Sequence, residues 1–169
     1  MKKTLVVPKE LATPHSFGSS AASAIAEALN PLVADAFALW IKTKNFHWHL
    51  SGPRFRDLHL LFDDQSDQIL AMIDVLAERV RKVGGLTVHS VSEIASLQSI
   101  QDDNRPFVAA QEMVKILQAD NQEFADSLRS ARKVCDEIGD YATTSILEVY
   151  IDETERRSWF LFECGITFD

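Results

Sequence analysis

The chain has 169 residues, 46% of them apolar, which is enough for one ordinary domain with a real core and too apolar for a disordered segment. A net charge of −8 opposes general nucleic-acid binding and favours attraction of cations. The two cysteines, Cys135 and Cys164, show no C-x-x-C spacing, so neither a disulfide nor a zinc site is expected.

Residues 1–18 read as a flexible tail, with Lys2, Lys3 and Lys9 against Glu10 giving a basic segment on an acidic body. The opening MKKTLVVP begins like a signal peptide, but the apolar run Leu5 to Val7 is far shorter than such a segment needs. No segment is expected to be long enough to span a bilayer, and the expected compartment is the cytoplasm. From Ser19-Ser20, the residues Leu29, Leu32, Val33, Ala36, Leu39, Trp40 and Ile41 recur at helical intervals, predicting a first helix to about Leu50 that Pro31 kinks or restarts. Ser51-Gly52-Pro53 reads as a short turn. A second helix from about Phe55 carries Leu58, Leu61, Phe62, Ile69, Met72, Ile73, Leu76 and Val80 and stops at Gly84-Gly85. SVSEIASLQSI within residues 86–105 predicts a short helix, and Asn104-Arg105-Pro106 is read as the start of a third long helix with proline in its first turn, running to Ile138. Gly139-Asp140 closes it, and a fourth runs from about Tyr141 to Phe162. Residues 19–169 are thus expected to form a single all-α domain, a four-helix bundle of ferritin-like organisation with a short extra helix in the connection between helices 2 and 3.

The stretch FHWHLSGPRFRDLHLLFD, residues 46–63, concentrates three histidines and two aspartates. His59 and Asp63 are four apart on the second helix, as are Asp74 and Glu78, so each pair shares a face. Eleven residues separate Asp63 from Asp74; at about 100° each they complete three turns to within about 20°, so all four lie on one stripe. The same eleven residues rise about 16 Å, whereas ligands sit about 2 Å from a metal ion. One chain cannot bring both pairs to one ion. Residues 59 and 78, like 63 and 74, are equidistant from a point between 68 and 69. Two antiparallel copies of the helix crossing there would face His59 and Asp63 of each with Asp74 and Glu78 of the other, giving two identical shared sites. His47, just across the turn, could complete a set of two imidazoles and three carboxylates, which suits iron(II) or another borderline divalent metal better than zinc or magnesium. A ferritin centre inside one bundle needs Glu-x-x-His, and none of the five histidines has Glu three residues before it.

H-W-H-L-S-G-P-R-F-R-D-L-H-L-L-F-D, His47 to Asp63, and I-D-V-L-A-E-R-V-R-K-V-G-G, Ile73 to Gly85, resemble the two signatures of the Dps-like mini-ferritins, and the likeness extends to WFLFEC at Trp159 to Cys164. The resemblance implies ferroxidase ligands His47, His59 and Asp63 from one subunit with Asp74 and Glu78 from its twofold mate. It further implies a tryptophan beside the centre, Trp48, that intercepts stray oxidant, and a hollow homododecamer that oxidises iron(II), preferentially with hydrogen peroxide, and stores ferric mineral. Val83 and His49 depart from the family pattern without touching a ligand.

Blander readings stand beside these. Asp74 and Glu78 taken alone would be a solvated face near Arg79 and Arg81; His15, His49 and His89 read as structural or solvent-facing; Phe62, Ile69, Met72 and Ile73 read as core or dimer contacts. Lys44 reads either as an ion pair to a ligand carboxylate or as a surface lysine. Rival functions are DNA binding through Lys2, Lys3 and Lys9, which the acidic body opposes and the ITFD ending does not help, and an oxygen-using iron store without peroxide chemistry.

Overall fold

The computed structural model describes residues 7–166. Its helices are α1 Ser19–His49, α2 Phe55–Lys82, α3 Val91–Leu97, α4 Ala110–Ile138 and α5 Tyr141–Gly165, with a 3-10 turn at Lys9–Leu11 and no strand among the described residues. α1 pairs with α2 and α4 with α5 as two helical hairpins, which meet mainly along α1 and α4, while α3 lies against α1. The bundle and its extra helix thus follow the expected order.

The apolar stripes read from the sequence become the core. Leu29, Val33, Leu39 and Phe46 of α1 pack with Leu58, Phe62, Ile69, Met72 and Leu76 of α2, and with Leu117, Phe124 and Leu128 of α4. Ile69, Met72 and Phe62 are fully enclosed within the single chain and Ile73 nearly so, which makes all four core residues. Truncating a phenylalanine such as Phe62 would cost about 3–5 kcal/mol.

α1 runs as one helix with Pro31 inside it rather than restarting there. Its length and a mean hydropathy of 1.4 over eighteen residues would suffice to cross a membrane, correcting the expectation that no segment reaches that length; half of that window is buried inside the bundle. A larger correction concerns the third long helix, which begins at Ala110 and not at Asn104–Pro106. Proline disfavours helical geometry in the residue before it, and Arg105 is instead folded onto Asp103 and Glu112 by ion pairs of 2.6 and 2.5 Å. Phe107 consequently points outward, 65% exposed, and only Val108 enters the core.

Long-range polar contacts fasten the helices at places the apolar pattern does not mark. Asp35, buried in the middle of α1, accepts hydrogen bonds from the Ser99 N–H (2.5 Å), the Ile100 N–H (3.1 Å) and the Ser99 hydroxyl (2.9 Å), tying down the connection between α3 and α4. At the other end, Gly139 takes a left-handed φ of 80° to stop α4, and the next residue, Asp140, caps α5 by accepting from the Thr143 N–H at 3.1 Å. Arg79 of α2 donates to that same Asp140 at 2.5 Å. Preceding α1, Leu11 and Thr13 accept hydrogen bonds from Arg81 at 2.6 and 3.4 Å, and the His15 ring lies over Gly84, where a Cβ would collide with it.

Candidate metal centre

The centre is built where α1 ends and α2 begins. The turn at Leu50–Arg54 reverses the chain using Gly52 at a φ of 108°, and the Phe55 N–H closes it on the Gly52 carbonyl at 3.0 Å. Buried Leu50 and Leu58 anchor the turn to the core, and Arg54 and Gln111 donate to the carbonyls of Cys164 and Gly165, both at 2.6 Å, holding the end of α5 beneath it. His47 and His59, twelve residues apart in sequence, are thereby brought face to face. Their rings stack at 3.7 Å between centroids, 19° from parallel, and Phe55, one turn before His59, stacks on the His59 ring at 4.9 Å.

Each imidazole is oriented by the other's main chain. His47 Nδ1 donates to the His59 carbonyl at 2.8 Å, and His59 Nδ1 donates to the His47 carbonyl at 3.0 Å. A nitrogen that donates to a carbonyl must carry its proton, so in the neutral ring Nε2 holds the free lone pair on both residues. Metal-binding histidines are held this way: one nitrogen engages a carbonyl and the other is left to the ion. The reciprocal bonds also supply partners for the His47 carbonyl, which lies in the last turn of α1 where the helix itself offers none.

Asp63 stands one turn beyond His59, its Oδ1 3.7 Å from His47 Nε2. Lys44, one turn before His47, donates to the same Oδ1, and its ammonium lies 3.8 Å from Asp67 Oδ1. That hydrogen bond is the main reason the Asp63 carboxyl is held below the usual carboxylate range. Lys44 is therefore not a plain surface lysine.

The remaining candidates lie elsewhere on the chain. Asp74 and Glu78 are exposed on α2; among the described residues Glu78 pairs only with Lys82, at 3.0 Å, and Asp74 makes no ion pair. Arg79 is engaged by Asp140 and Thr143, and Arg81 by Gly85, Leu11 and Thr13, and neither pairs with this acidic face. Among the described residues, no three His, Cys, Asp or Glu side chains converge closely enough to hold a metal ion. Leu60, Leu70 and Val75 are exposed on α2, so the helix offers an apolar as well as a charged surface. Trp48 is 59% exposed beside His47. His49 is exposed and turned onto the Asn45 carbonyl at 2.9 Å, His89 is exposed and paired with Glu93, and His15 is exposed at the N-terminal segment. Lys9 lies on that segment and is exposed; Lys2 and Lys3 lie outside the described residues.

Sequence reasoning missed Phe55 as a wall of the histidine stack, although its i, i+4 spacing to His59 could have marked it. It also missed Arg157, fully buried on α5, whose Nε donates to Asn121 Oδ1 at 3.0 Å and Nη2 to Thr154 Oγ1 at 2.7 Å. Burial pushes this guanidinium down to about 10.

The ferritin-like domain family matches residues 26–163. A relative from Brevibacillus brevis, named DNA protection during starvation protein, is 34% identical over 81% of this chain and 91% of its own length. A Dps protein from Bacillus brevis has a crystal structure that superimposes with a TM-score of 0.83 at 32% identity, covering 87% of this chain and 98% of that one. Another, from Vibrio cholerae, described as a member of a broad superfamily of ferritin-like diiron-carboxylate proteins, superimposes with a TM-score of 0.84 at 25% identity over 90% and 96% of the two chains. With the bundle, the family match and these relatives in agreement, the chain belongs to the ferritin-like family, in its Dps-like branch.

Proposed function

We propose that this protein is a ferroxidase that oxidises iron(II) at sites shared between two antiparallel copies of α2 and stores the ferric product in a hollow homododecamer in the cytoplasm. The observation that carries the reading is the reciprocal clamp of His47 and His59, which turns each Nδ1 onto a carbonyl and leaves the Nε2 of each ring to an ion, that of His47 lying 3.7 Å from Asp63 Oδ1. Asp74 and Glu78, on the same helix stripe but about 16 Å further along for Asp74, supply the other half from the second copy. The exposed Leu60, Leu70 and Val75 give that second copy an apolar surface to cover. The diiron-carboxylate description of the Vibrio cholerae neighbour supports iron as the substrate.

In this reading the two imidazoles select a borderline divalent metal and the three carboxylates stabilise the more highly charged iron(III) product. Two iron(II) ions give up one electron each, and one hydrogen peroxide accepts both electrons with two protons to yield two waters, so no hydroxyl radical is released. In the same reading the Trp48 indole, next to His47 in the chain, intercepts stray oxidant, and its 59% exposure supports this. Protection of DNA, the role in the name of the Brevibacillus relative, follows from consuming peroxide and iron(II) together, without requiring the chain to bind DNA. Stopped-flow oxidation of iron(II) by peroxide is expected to slow by at least tenfold in His59→Ala and in Asp63→Ala. Unchanged kinetics in both variants would end the proposal, and equal rates with oxygen and with peroxide would favour an oxygen-using store.

A further inference from the structure

Lys44 and the metal compete for one carboxylate. The ammonium already donates to Asp63 Oδ1, and an iron(II) ion bound to the same group would set two positive charges, one of them double, side by side. Lys44 must then move. Its side chain is only 18% exposed, so it cannot simply swing into solvent without uncovering the stem that packs against the bundle. Asp67 Oδ1 lies 3.8 Å away, one turn beyond Asp63, on a carboxylate that is 73% exposed in the single chain and has no other ion pair among the described residues. A shift of about 1 Å brings the ammonium from that separation to charge-assisted hydrogen-bond distance.

We infer that Asp67 is a positioning residue for iron loading: it receives the Lys44 ammonium as iron(II) displaces it from Asp63, so the site exchanges one cation for another without leaving a charge unpaired. Asp67 acts through Lys44 and does not touch the iron. This inference rests on the shared-site reading above. It makes the Lys44, Asp63 and Asp67 group a two-position switch, with the lysine on Asp63 before loading and on Asp67 afterwards.

Anaerobic calorimetric titration of the assembled full-length protein with iron(II) tests the idea without any turnover. Asp67→Asn is expected to weaken iron(II) binding about three- to fivefold, the range typical of one partly exposed ion pair, and Asp67→Glu to restore binding to within about twofold of the parent. Lys44→Met, which removes the competitor, is expected to bind iron(II) at least as tightly as the parent, and adding Asp67→Asn to it is expected to change nothing further. An equal loss from Asp67→Asn with and without Lys44 would make Asp67 a direct or long-range electrostatic partner of the iron and overturn the inference, as would no loss in either background. His59→Ala separates the two levels: if it binds iron(II) as well as the parent, the shared site itself fails and takes Asp67 with it. Retained dependence on His59 with no coupling between Asp67 and Lys44 overturns the positioning role alone.

Discussion

Two double variants, His59→Ala/Asp63→Ala and Asp74→Ala/Glu78→Ala, separate a divided site from one held by a single chain. Each variant alone lacks two of the five ligands in every site and is expected to lose rapid iron oxidation. When the two chains are co-expressed in equal amounts, random pairing makes about half of the pairs mixed. In a mixed pair, one site collects both damaged halves and is dead, while the other joins the intact histidine half of one chain to the intact acidic half of its mate. One good site out of two, in half of the pairs, returns about a quarter of the parent rate. Stopped-flow iron(II) oxidation by peroxide, normalised to protein, measures it, and the iron(II) bound per subunit should recover by the same fraction. A mixture no faster than either variant would show that each chain must carry its whole ligand set, and the reasoning from helix rise would be refuted.

Further outcomes follow from individual contacts. Replacing Asp35 by Ala strips three donors of their acceptor at a nearly inaccessible position. It should cost about 2–3 kcal/mol in denaturant unfolding, with faster amide exchange confined to the stretch around Ser99 and Ile100. Asp63 should titrate below its ordinary value of 3.8 in an NMR experiment on the metal-free protein, and Lys44→Met should return it toward that value. Because the folded carboxyl is the more acidic one, its stabilising contribution is present above the unfolded pKa and fades as pH falls through the lowered folded value; Lys44→Met should lose that part of the acid unfolding profile. Removing residues 1–10 should abolish any low-salt gel shift with DNA if Lys2, Lys3 and Lys9 are responsible, and a retained shift would place the contact elsewhere.

Much of the fold was legible because it repeats. The stripes of α1 and α2, the Ser51–Pro53 turn and the Gly139-Asp140 break each leave a local pattern of residue types, and each lies where the pattern puts it. The start of α4 was misread because proline is compatible both with the first turn of a helix and with an extended approach to one. What decided between them was the folding of Arg105 onto Asp103 and Glu112, and side-chain reach of that kind leaves no periodicity. Asp35 and Arg157 were invisible for a related reason: each interrupts an apolar stripe, and each bonds a residue far along the chain, Ser99 at 64 residues from Asp35 and Asn121 at 36 residues from Arg157. At the candidate centre the donor types and their spacing along α2 could be read directly. The bonds from each imidazole to the other's carbonyl could not, since a main-chain acceptor is present at every position and marks none.

The crossed bonds between His47 and His59 make the length of the intervening loop a shared constraint. An inserted or deleted residue between Leu50 and Arg54 would rotate α2 relative to α1 and withdraw both acceptors in the same stroke, so neither ring could drift while the other stayed aimed. The two donors are aimed together or not at all, and the loop is the ruler that sets them.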